Sequence, residues 1–278
     1  MKKISRRSFM AAAAVSVAAL AMTACGGSAS SAASSVASSA ASSEAASSAA
    51  AADLTTVEAG KLTMATNAAF PPYEMTTDAG EFEGIDVDTA KAIAEKLGLE
   101  LQIDDMDFDA ALLSVQQGKA DIVMAGVTVT DERKAVMDFS DNYATGIQSI
   151  IVPNDSDIAS PDDLAGKTIG TQRGTTGYIY CSDDFGDENV VAYDDGLTAV
   201  QALNNGQVDA VVIDNAPAQE FVAANPGLKV LDTSYAEEDY AIGMAKGSAL
   251  EDAVNKALEE LKADGTLQAI VDKYINAN

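Results

Sequence analysis

The sequence predicts an α/β protein of two similar lobes, each a mostly parallel sheet flanked by helices. Short β-rich runs alternate with helical patterns along the chain, which is the order that parallel sheets with helical connections require. A helix end, a glycine, an aspartate and an apolar strand follow one another twice, over 115–123 and over 203–211. This unit is a common way to end a helix, so a chance match is the alternative. Two copies favour two lobes with a ligand held between them.

The first half of the folded body alternates strands with helices. Apolar residues recur on one helical face over 88–97, and Gly98 ends that helix. Gly118 ends the next helix in the same way. The predicted elements are strands over 62–66, 99–103 and 121–125 and helices over 88–97 and 109–117.

The first 24 residues have the layout of an export signal. Basic residues occupy positions 2, 3, 6 and 7, and the small apolar run over 11–24 is too short and too rich in alanine for a membrane span. The run ends in Met-Thr-Ala-Cys at 22–25, which resembles a bacterial lipobox. We therefore expect 1–24 to be an export signal and Cys25 to carry a lipid, and a cysteine that happens to end a plain signal is the alternative. The arginine pair also resembles a twin-arginine signal, so the export route stays open.

Residues 26–52 are almost only serine, alanine and glycine. Such a segment cannot bury enough apolar surface to offset the entropy of ordering it, so it forms with Cys25 a flexible tether over 25–52. The predicted location is therefore extracytoplasmic. The folded body would be lipid-anchored on the periplasmic side or on the outer face of the cytoplasmic membrane.

Composition excludes several classes of function. The chain of 278 residues has a formal net charge of −26, which argues against nucleic acid as a partner and against direct adsorption on anionic lipid. Histidine is absent, and Cys181 is the only cysteine besides Cys25. These absences leave no disulfide framework, no Cys/His zinc set and no Cys–His or Ser–His catalytic pair. We expect no metal and no cofactor, and a buried free thiol at Cys181.

Five short motifs follow one another in the body. They are Ala65–Glu74, Gly84–Asp88, Ala125–Arg133, Asp138–Ser140 and Gly170–Gly177. With these motifs in this order, the chain from about Leu62 to the C-terminus resembles the polar amino-acid-binding proteins. These are the bacterial extracellular solute-binding proteins of family 3. The resemblance implies a two-lobed periplasmic-binding-protein (type II) fold that binds a free amino acid, polar or basic, and delivers it to the membrane subunits of an ABC importer. We also expect a monomer without enzymatic activity.

By the same resemblance, the chain crosses between the lobes twice. The crossings are predicted at Tyr143–Ile147 and Glu238–Ala241, and they would act as hinges about which the lobes close on a ligand. The predicted division is lobe 1 over 53–143 and 241–278 and lobe 2 over 144–240. Two C-terminal helices, over 250–261 and 266–274, complete lobe 1.

Arg133 is the predicted partner of a ligand α-carboxylate, because a guanidinium offers that group two parallel donors. Thr130 predicts an N-cap, which places Arg133 in the first turn of a helix, where a cation opposes the helix dipole. An arginine with only a structural role at the surface would gain nothing that offsets this cost. An ion pair with a neighbouring acidic residue is the alternative. Gly126 would let the backbone approach the ligand. The resemblance implies that Gly126 and Thr128 contact the ligand from the first lobe.

The second lobe is predicted to complete the contacts of a zwitterion. Gly174–Gly177 follows a strand and opens a helix, so its N–H groups form an anion nest, and the hydroxyls of Thr175 and Thr176 add donors to the same carboxylate. A phosphate loop is the alternative, but the segment lacks the lysine and the spacing of one. Asp214 ends an apolar strand and would face the cleft, where it would bind the α-ammonium. An ordinary turn aspartate before Pro217 is the alternative.

The side chain of the ligand is predicted to lie beside Phe70 and Phe108, whose ring faces suit aliphatic stems and cations. Asn67 stands where many members of the family carry aspartate, and its amide lacks the charge that would most favour a cationic ligand. Glu74 restores that charge if it points inward. The sequence therefore leaves open whether the ligand is neutral and polar or basic.

Two other classes of function are alternatives to transport. An exported enzyme on the same fold, for example a dehydratase of a cyclic acid, needs a general acid such as Glu74 or Asp214. The lack of histidine and the complete set of zwitterion contacts argue against it. A sensor or chemoreception binding protein is the other alternative. The expected lipid anchor favours transport over both.

Overall fold

The computed structural model describes residues 54–275. The predicted export signal over 1–24, the lipid site Cys25 and the tether to residue 52 lie outside the described residues. Within the described part of the chain, no helix is both long enough and apolar enough to cross a membrane.

Strands and helices alternate along residues 54–275. The strands are β1 (Lys61–Thr66), β2 (Ala69–Phe70), β3 (Glu74–Thr76), β4 (Phe82–Glu83), β5 (Glu100–Asp105), β6 (Ile122–Val123), β7 (Met137–Phe139), β8 (Ala144–Pro153), β9 (Ile169–Gln172), β10 (Val190–Tyr193), β11 (Ala210–Asp214), β12 (Leu228–Val230), β13 (Ala236–Tyr240) and β14 (Gly243–Ala245). The helices are α1 (Ile85–Leu97), α2 (Phe108–Gln116), α3 (Asp131–Lys134), α4 (Thr176–Phe185), α5 (Gly196–Asn204), α6 (Asn215–Ala224), α7 (Glu251–Ala263) and α8 (Thr266–Tyr274).

Two sheets form the centres of two lobes. The first sheet has the order β5-β1-β6-β14-β7, in which β1 pairs in parallel with β5 and β6, while β14 is antiparallel to both of its neighbours. The second sheet has the order β10-β9-β11-β8-β12, in which β9 pairs in parallel with β10 and β11, while β8 is antiparallel. Helix α1 packs against α7 and α8, so the C-terminal helices join the first lobe. The predicted two-lobed α/β fold is confirmed.

Strands β8 and β13 lie where the chain passes between the lobes. They pair antiparallel, from Ala144 opposite Tyr240 to Gln148 opposite Ala236. Strand β8 continues into the second sheet, and the chain after β13 enters the first sheet as β14. The predicted crossings at 143–147 and 238–241 fall on this pair of strands, and their action as hinges stays a prediction.

The structure corrects the bounds of several elements. Helix α1 begins at Ile85 rather than at 88, because Gly84 serves as its N-cap with a φ of 134°. A Cβ atom at Gly84 would lie only 2.1 Å from the carbonyl oxygen of Tyr73, so the close approach requires glycine. The earlier start places Asp86 in a buried first turn. The predicted strand over 121–125 shortens to β6, whereas α8 has the predicted bounds.

Apolar side chains between the sheets and the helices form the cores. Leu62, Met64 and Ile93 of the first lobe are fully buried, as is Ile169 of the second. Cys181 is a buried free cysteine, as predicted. Burial raises the pKa of its thiol to about 12, so the thiol stays protonated at neutral pH.

Candidate functional site

A cavity lies between the two lobes, and residues from both lobes line it. All ten positions that the sequence analysis selected are among the lining residues: Asn67, Phe70, Glu74, Phe108, Gly126, Thr128, Arg133, Thr175, Thr176 and Asp214. Five further residues line the cavity and were not predicted to contact a ligand: Ala125, Gln148, Gln172, Ile213 and Tyr240. The structure brings the selected positions together, and their contact with a ligand stays a prediction.

Arg133 lies in the first turn of α3, where its backbone N–H donates to the Thr130 hydroxyl at 3.2 Å, so the predicted N-cap is confirmed. The guanidinium donates to the carbonyl oxygen of Thr128 at 2.7 Å. It also reaches the second lobe, where it donates to the carbonyl oxygen of Gly174 at 3.1 Å. Its carbon atom Cζ lies 5.4 Å from the centre of the Phe108 ring. The alternative of a surface ion pair is wrong, because the Arg133 side chain is buried.

The start of helix α4 brings Thr175 and Thr176 to the cavity. Thr175 is the N-cap, and its hydroxyl accepts from the N–H of Tyr178 at 3.3 Å and donates to the carbonyl oxygen of Gln172 at 2.8 Å. The Thr175 hydroxyl is thus committed to the helix start, so the first-turn N–H groups are the better donors for an anion. The Thr176 hydroxyl lies 3.4 Å from that of Thr128, which belongs to the first lobe.

Asp214 ends β11 and is 2% exposed. One carboxylate oxygen accepts from the N–H of Ile147 at 2.7 Å, and the other accepts from the N–H of Ala216 at 3.1 Å and so caps α6. Burial raises the pKa of Asp214 to about 6, while hydrogen bonds from Tyr240 and from these N–H groups oppose the rise. Asp214 therefore both caps a helix and presents a buried carboxylate to the cavity.

Aromatic rings pack around Gly126, and those of Phe70 and Tyr240 line the cavity. Phe70 and Tyr73 stack with ring centres 5.9 Å apart, and Tyr73 meets Tyr240 edge to face at 5.5 Å. A Cβ atom at Gly126 would lie 3.0 Å from the Phe70 ring and 3.2 Å from the Tyr240 ring. Gly126 also has a φ of 55°, so both the backbone and the rings require glycine here.

Two buried carboxyl groups, those of Glu74 and Asp86, interact with each other, and the first of them lines the cavity. Asp86, which the sequence analysis did not select, accepts from the N–H of Gly126 at 3.0 Å and from the Tyr143 hydroxyl at 2.8 Å. Burial, together with the charge of Asp86, raises the pKa of Glu74 well above its usual value. Burial also raises the pKa of Asp86 to about 6.

Asn67 joins the lobes across the cavity. Its amide nitrogen donates to the carbonyl oxygen of Met106 at 3.0 Å, and its oxygen accepts from the Gln172 amide at 2.8 Å. Gln172 ends β9 of the second sheet, so this hydrogen bond connects the two lobes directly. Both Gln172 and Asp86 stand inside motifs that marked the family resemblance, and that was the signal available for selecting them.

Known proteins resemble this chain over most of its length. The bacterial extracellular solute-binding proteins, family 3, match residues 62–277. The chain is 33% identical to the L-cystine-binding protein TcyJ of Escherichia coli (strain K12), over 80% of this chain and 85% of that protein. It is 32% identical to the ABC transporter arginine-binding protein 1 of the same strain, over 78% of this chain and 91% of that protein.

Among solved structures, the arginine-, lysine-, histidine-binding protein ArtJ of Geobacillus stearothermophilus superposes with a TM-score of 0.75 at 35% identity. The match covers 78% of this chain and 96% of ArtJ. The family resemblance predicted from the five motifs is confirmed. This chain belongs to the bacterial extracellular solute-binding proteins, family 3.

Proposed function

We propose that this protein binds a free amino acid with a cationic side chain outside the cytoplasm and delivers it to an ABC importer. One observation carries the proposal: a single cavity holds the buried guanidinium of Arg133 from one lobe and the buried carboxylate of Asp214 from the other. The names of the relatives support an amino acid, since they specify cystine, arginine, lysine or histidine. One of those names also specifies an ABC transporter. The family consists of binding proteins rather than enzymes, which supports binding without turnover.

A zwitterion satisfies both charged ends of this cavity. Its α-carboxylate would accept from Arg133 and from the first N–H groups of α4, and its α-ammonium would donate to Asp214. Each of these protein groups is withdrawn from water, so a charged partner offsets its cost of burial. A ligand with only one of the two groups would leave the other protein charge buried without its partner.

The carboxyl groups of Glu74 and Asp86 support a cationic side chain over a neutral one. The ionised form of Glu74 is costly, because the side chain is buried beside the charge of Asp86. An ammonium or guanidinium group in the cavity would donate to Glu74 and would favour its ionised form. The rings of Phe70 and Phe108 add faces that attract cations.

Calorimetric titration with L-arginine, L-lysine, L-histidine, L-glutamine and L-cystine tests the proposal. We expect L-arginine or L-lysine to bind most tightly, and to stabilise the fold by about 2.7 kcal/mol at a hundred times the dissociation constant. Agmatine, which lacks the carboxylate, should bind weakly. Binding of no amino acid would contradict the function, whereas tightest binding of L-glutamine would contradict only the cationic class.

Glu74→Gln should lower the affinity for L-arginine about tenfold or more and should leave that for L-glutamine within about threefold. The amide keeps the size of the side chain, but it cannot ionise beside a cation. Calorimetry of both ligands on both proteins measures the difference, and each ligand serves as the control for the other. Equal changes for the two ligands would remove Glu74 from the contacts of the side chain.

We also propose that Cys25 carries the lipid that anchors the protein on the extracytoplasmic side of the membrane. Cys25→Ala should move the protein from the membrane fraction to the soluble fraction without changing its affinity for L-arginine. Cys181→Ala is the matched control, because Cys181 is buried inside the second lobe, and this variant should stay with the membrane. A Cys25→Ala protein that still sediments with membranes would contradict the anchor.

We propose hinges at 143–147 and 238–241, with lobe 1 over 53–143 and 241–278 and lobe 2 over 144–240, and the pairing of β8 with β13 supports this division. We also propose that the protein is a monomer.

A further inference from the structure

Glu238 is a buried carboxylate directly behind the cavity. It lies on β13 opposite Gly146 of β8, and it is 5% exposed. Its oxygen Oε2 accepts from the hydroxyl of Thr128 at 3.0 Å and from the amide nitrogen of Gln148 at 3.0 Å. Both of these side chains line the cavity, whereas Glu238 is not among the lining residues. Glu238 therefore lies behind the wall of the cavity, and its hydrogen bonds reach the cavity only through Thr128 and Gln148.

The contact with Glu238 decides what the Thr128 hydroxyl offers to the cavity. A hydroxyl has one hydrogen to donate and two lone pairs that accept, whereas an ionised carboxylate only accepts. Thr128 must therefore donate its single hydrogen to Glu238. Towards the cavity, the Thr128 oxygen can then only accept hydrogen bonds. In its 3.4 Å contact with the Thr176 hydroxyl, Thr176 is therefore the donor.

A ligand ammonium needs such an acceptor. It has three N–H donors, and both oxygens of Asp214 already accept from backbone N–H groups. We infer that Glu238 is a positioning residue for recognition of the α-ammonium: it holds the Thr128 hydroxyl as an acceptor in the cavity that Asp214 also lines. This inference rests on the proposed function, because it requires a ligand with an α-ammonium.

Two substitutions at Glu238 separate the loss of its hydrogen-bond acceptor from the loss of its charge. Glu238→Leu removes the acceptor and frees the Thr128 hydrogen to point at the ammonium, so the dissociation constant for L-arginine should rise about tenfold or more. Glu238→Gln loses the charge but keeps an oxygen that accepts, so its dissociation constant should stay within about threefold of the wild type. Glu237→Leu, at an exposed position on the same strand, is the matched control and should leave affinity unchanged.

A double-mutant cycle with Thr128→Val shows whether Glu238 acts through the hydroxyl. If it does, Glu238→Leu should cause little further loss of L-arginine affinity in the Thr128→Val protein. Additive losses, or a Glu238→Gln protein as weak as Glu238→Leu, would overturn the inference. Glu238→Ala, which leaves room for water beside the Gln148 amide, replaces the leucine variant in the cycle if the latter does not fold. A wild type that binds no amino acid would defeat the proposed function itself, whereas additive losses in a protein that binds L-arginine defeat only the role of Glu238.

Discussion

Arg133→Ala is expected to weaken binding of L-arginine by about 2–5 kcal/mol, which is about 30-fold to 5,000-fold in the dissociation constant. The substitution would leave the α-carboxylate of the ligand partly unpaired in a cavity from which water is excluded. It would also remove the hydrogen bond from Arg133 to the carbonyl oxygen of Gly174, which joins the lobes. Calorimetry on the purified variant measures the loss, and circular dichroism confirms that the protein is folded.

Arg173→Ala is the matched control for this prediction. The Arg173 side chain is about half exposed and pairs with Asp194 at 3.5 Å on the surface, so its loss should leave affinity unchanged. Arg133→Lys should recover only part of the affinity, because an ammonium cannot make two parallel bonds to a carboxylate. Unchanged affinity of Arg133→Ala would contradict the zwitterion contacts and, with them, the amino-acid function.

Asp214→Asn should cost a similar amount, about 2–5 kcal/mol of L-arginine binding, because the α-ammonium would lose its charged partner. The asparagine oxygen still accepts one of the two backbone N–H groups that Asp214 holds, so we expect the variant to fold. Asp195→Asn is the matched control, since Asp195 caps α5 by accepting from the N–H of Thr198 at 2.7 Å. An equal loss of affinity in both variants would mean that helix capping, not ammonium binding, explains the effect.

The same carboxylate makes binding depend on pH. Asp214 has a pKa of about 6 in the free protein, raised from 3.8, and an ammonium binds its ionised form. Affinity for L-arginine should therefore fall about tenfold between pH 7 and pH 5 through Asp214 alone. Glu74, whose pKa burial raises well above its usual value, adds a further rise of affinity with pH if the side chain of the ligand is cationic. Asp214→Asn should remove the tenfold change that Asp214 causes, as titrations at pH 5, 6 and 7 would show.

The stability of the free protein should change in the opposite direction. Because the pKa values of Asp214 and Asp86 are raised in the folded state, the folded protein holds protons that the unfolded chain has lost between about pH 4 and pH 6. Their contribution to the free energy of unfolding is therefore present at low pH and is lost as pH rises through this window. A bound α-ammonium would offset this loss at neutral pH, because it would pair with the ionised carboxylate of Asp214.

Features decided by local chemistry could be predicted from the sequence. The Thr130 hydroxyl caps α3 through the backbone N–H of Arg133, within a single turn. Helix α8 has the predicted bounds, and it begins directly after Gly265, whose backbone is left-handed. Thr175 caps α4 in the same way, and that local role is what withdraws its hydroxyl from the predicted contact with the ligand.

Features decided by long-range pairing could not be predicted in this way. Gln148 and Glu238 meet because β8 and β13 pair in one register, and a shift of one residue would turn each side chain to the other face. Helix α1 starts early because Gly84 packs on the backbone of Tyr73, which lies on another segment. Gln172 lies in one of the five motifs, but its hydrogen-bond partner Asn67 lies in the other lobe, so the contact between them could not be predicted.

The hydrogen bonds that join the lobes around the cavity bear on how an importer would distinguish loaded from empty protein. Gln172 donates to Asn67 at 2.8 Å, and Arg133 donates to Gly174 at 3.1 Å. At about 0.5–1.5 kcal/mol each, two such bonds together would favour a closed arrangement of the lobes by about 1–3 kcal/mol. If the lobes close about the proposed hinges, an importer that selects the closed shape would also engage some empty copies, and a bound amino acid would signal through the extra closure it adds. Any change that strengthens the Asn67–Gln172 bond should raise affinity and at the same time make loaded and empty protein harder for the importer to tell apart.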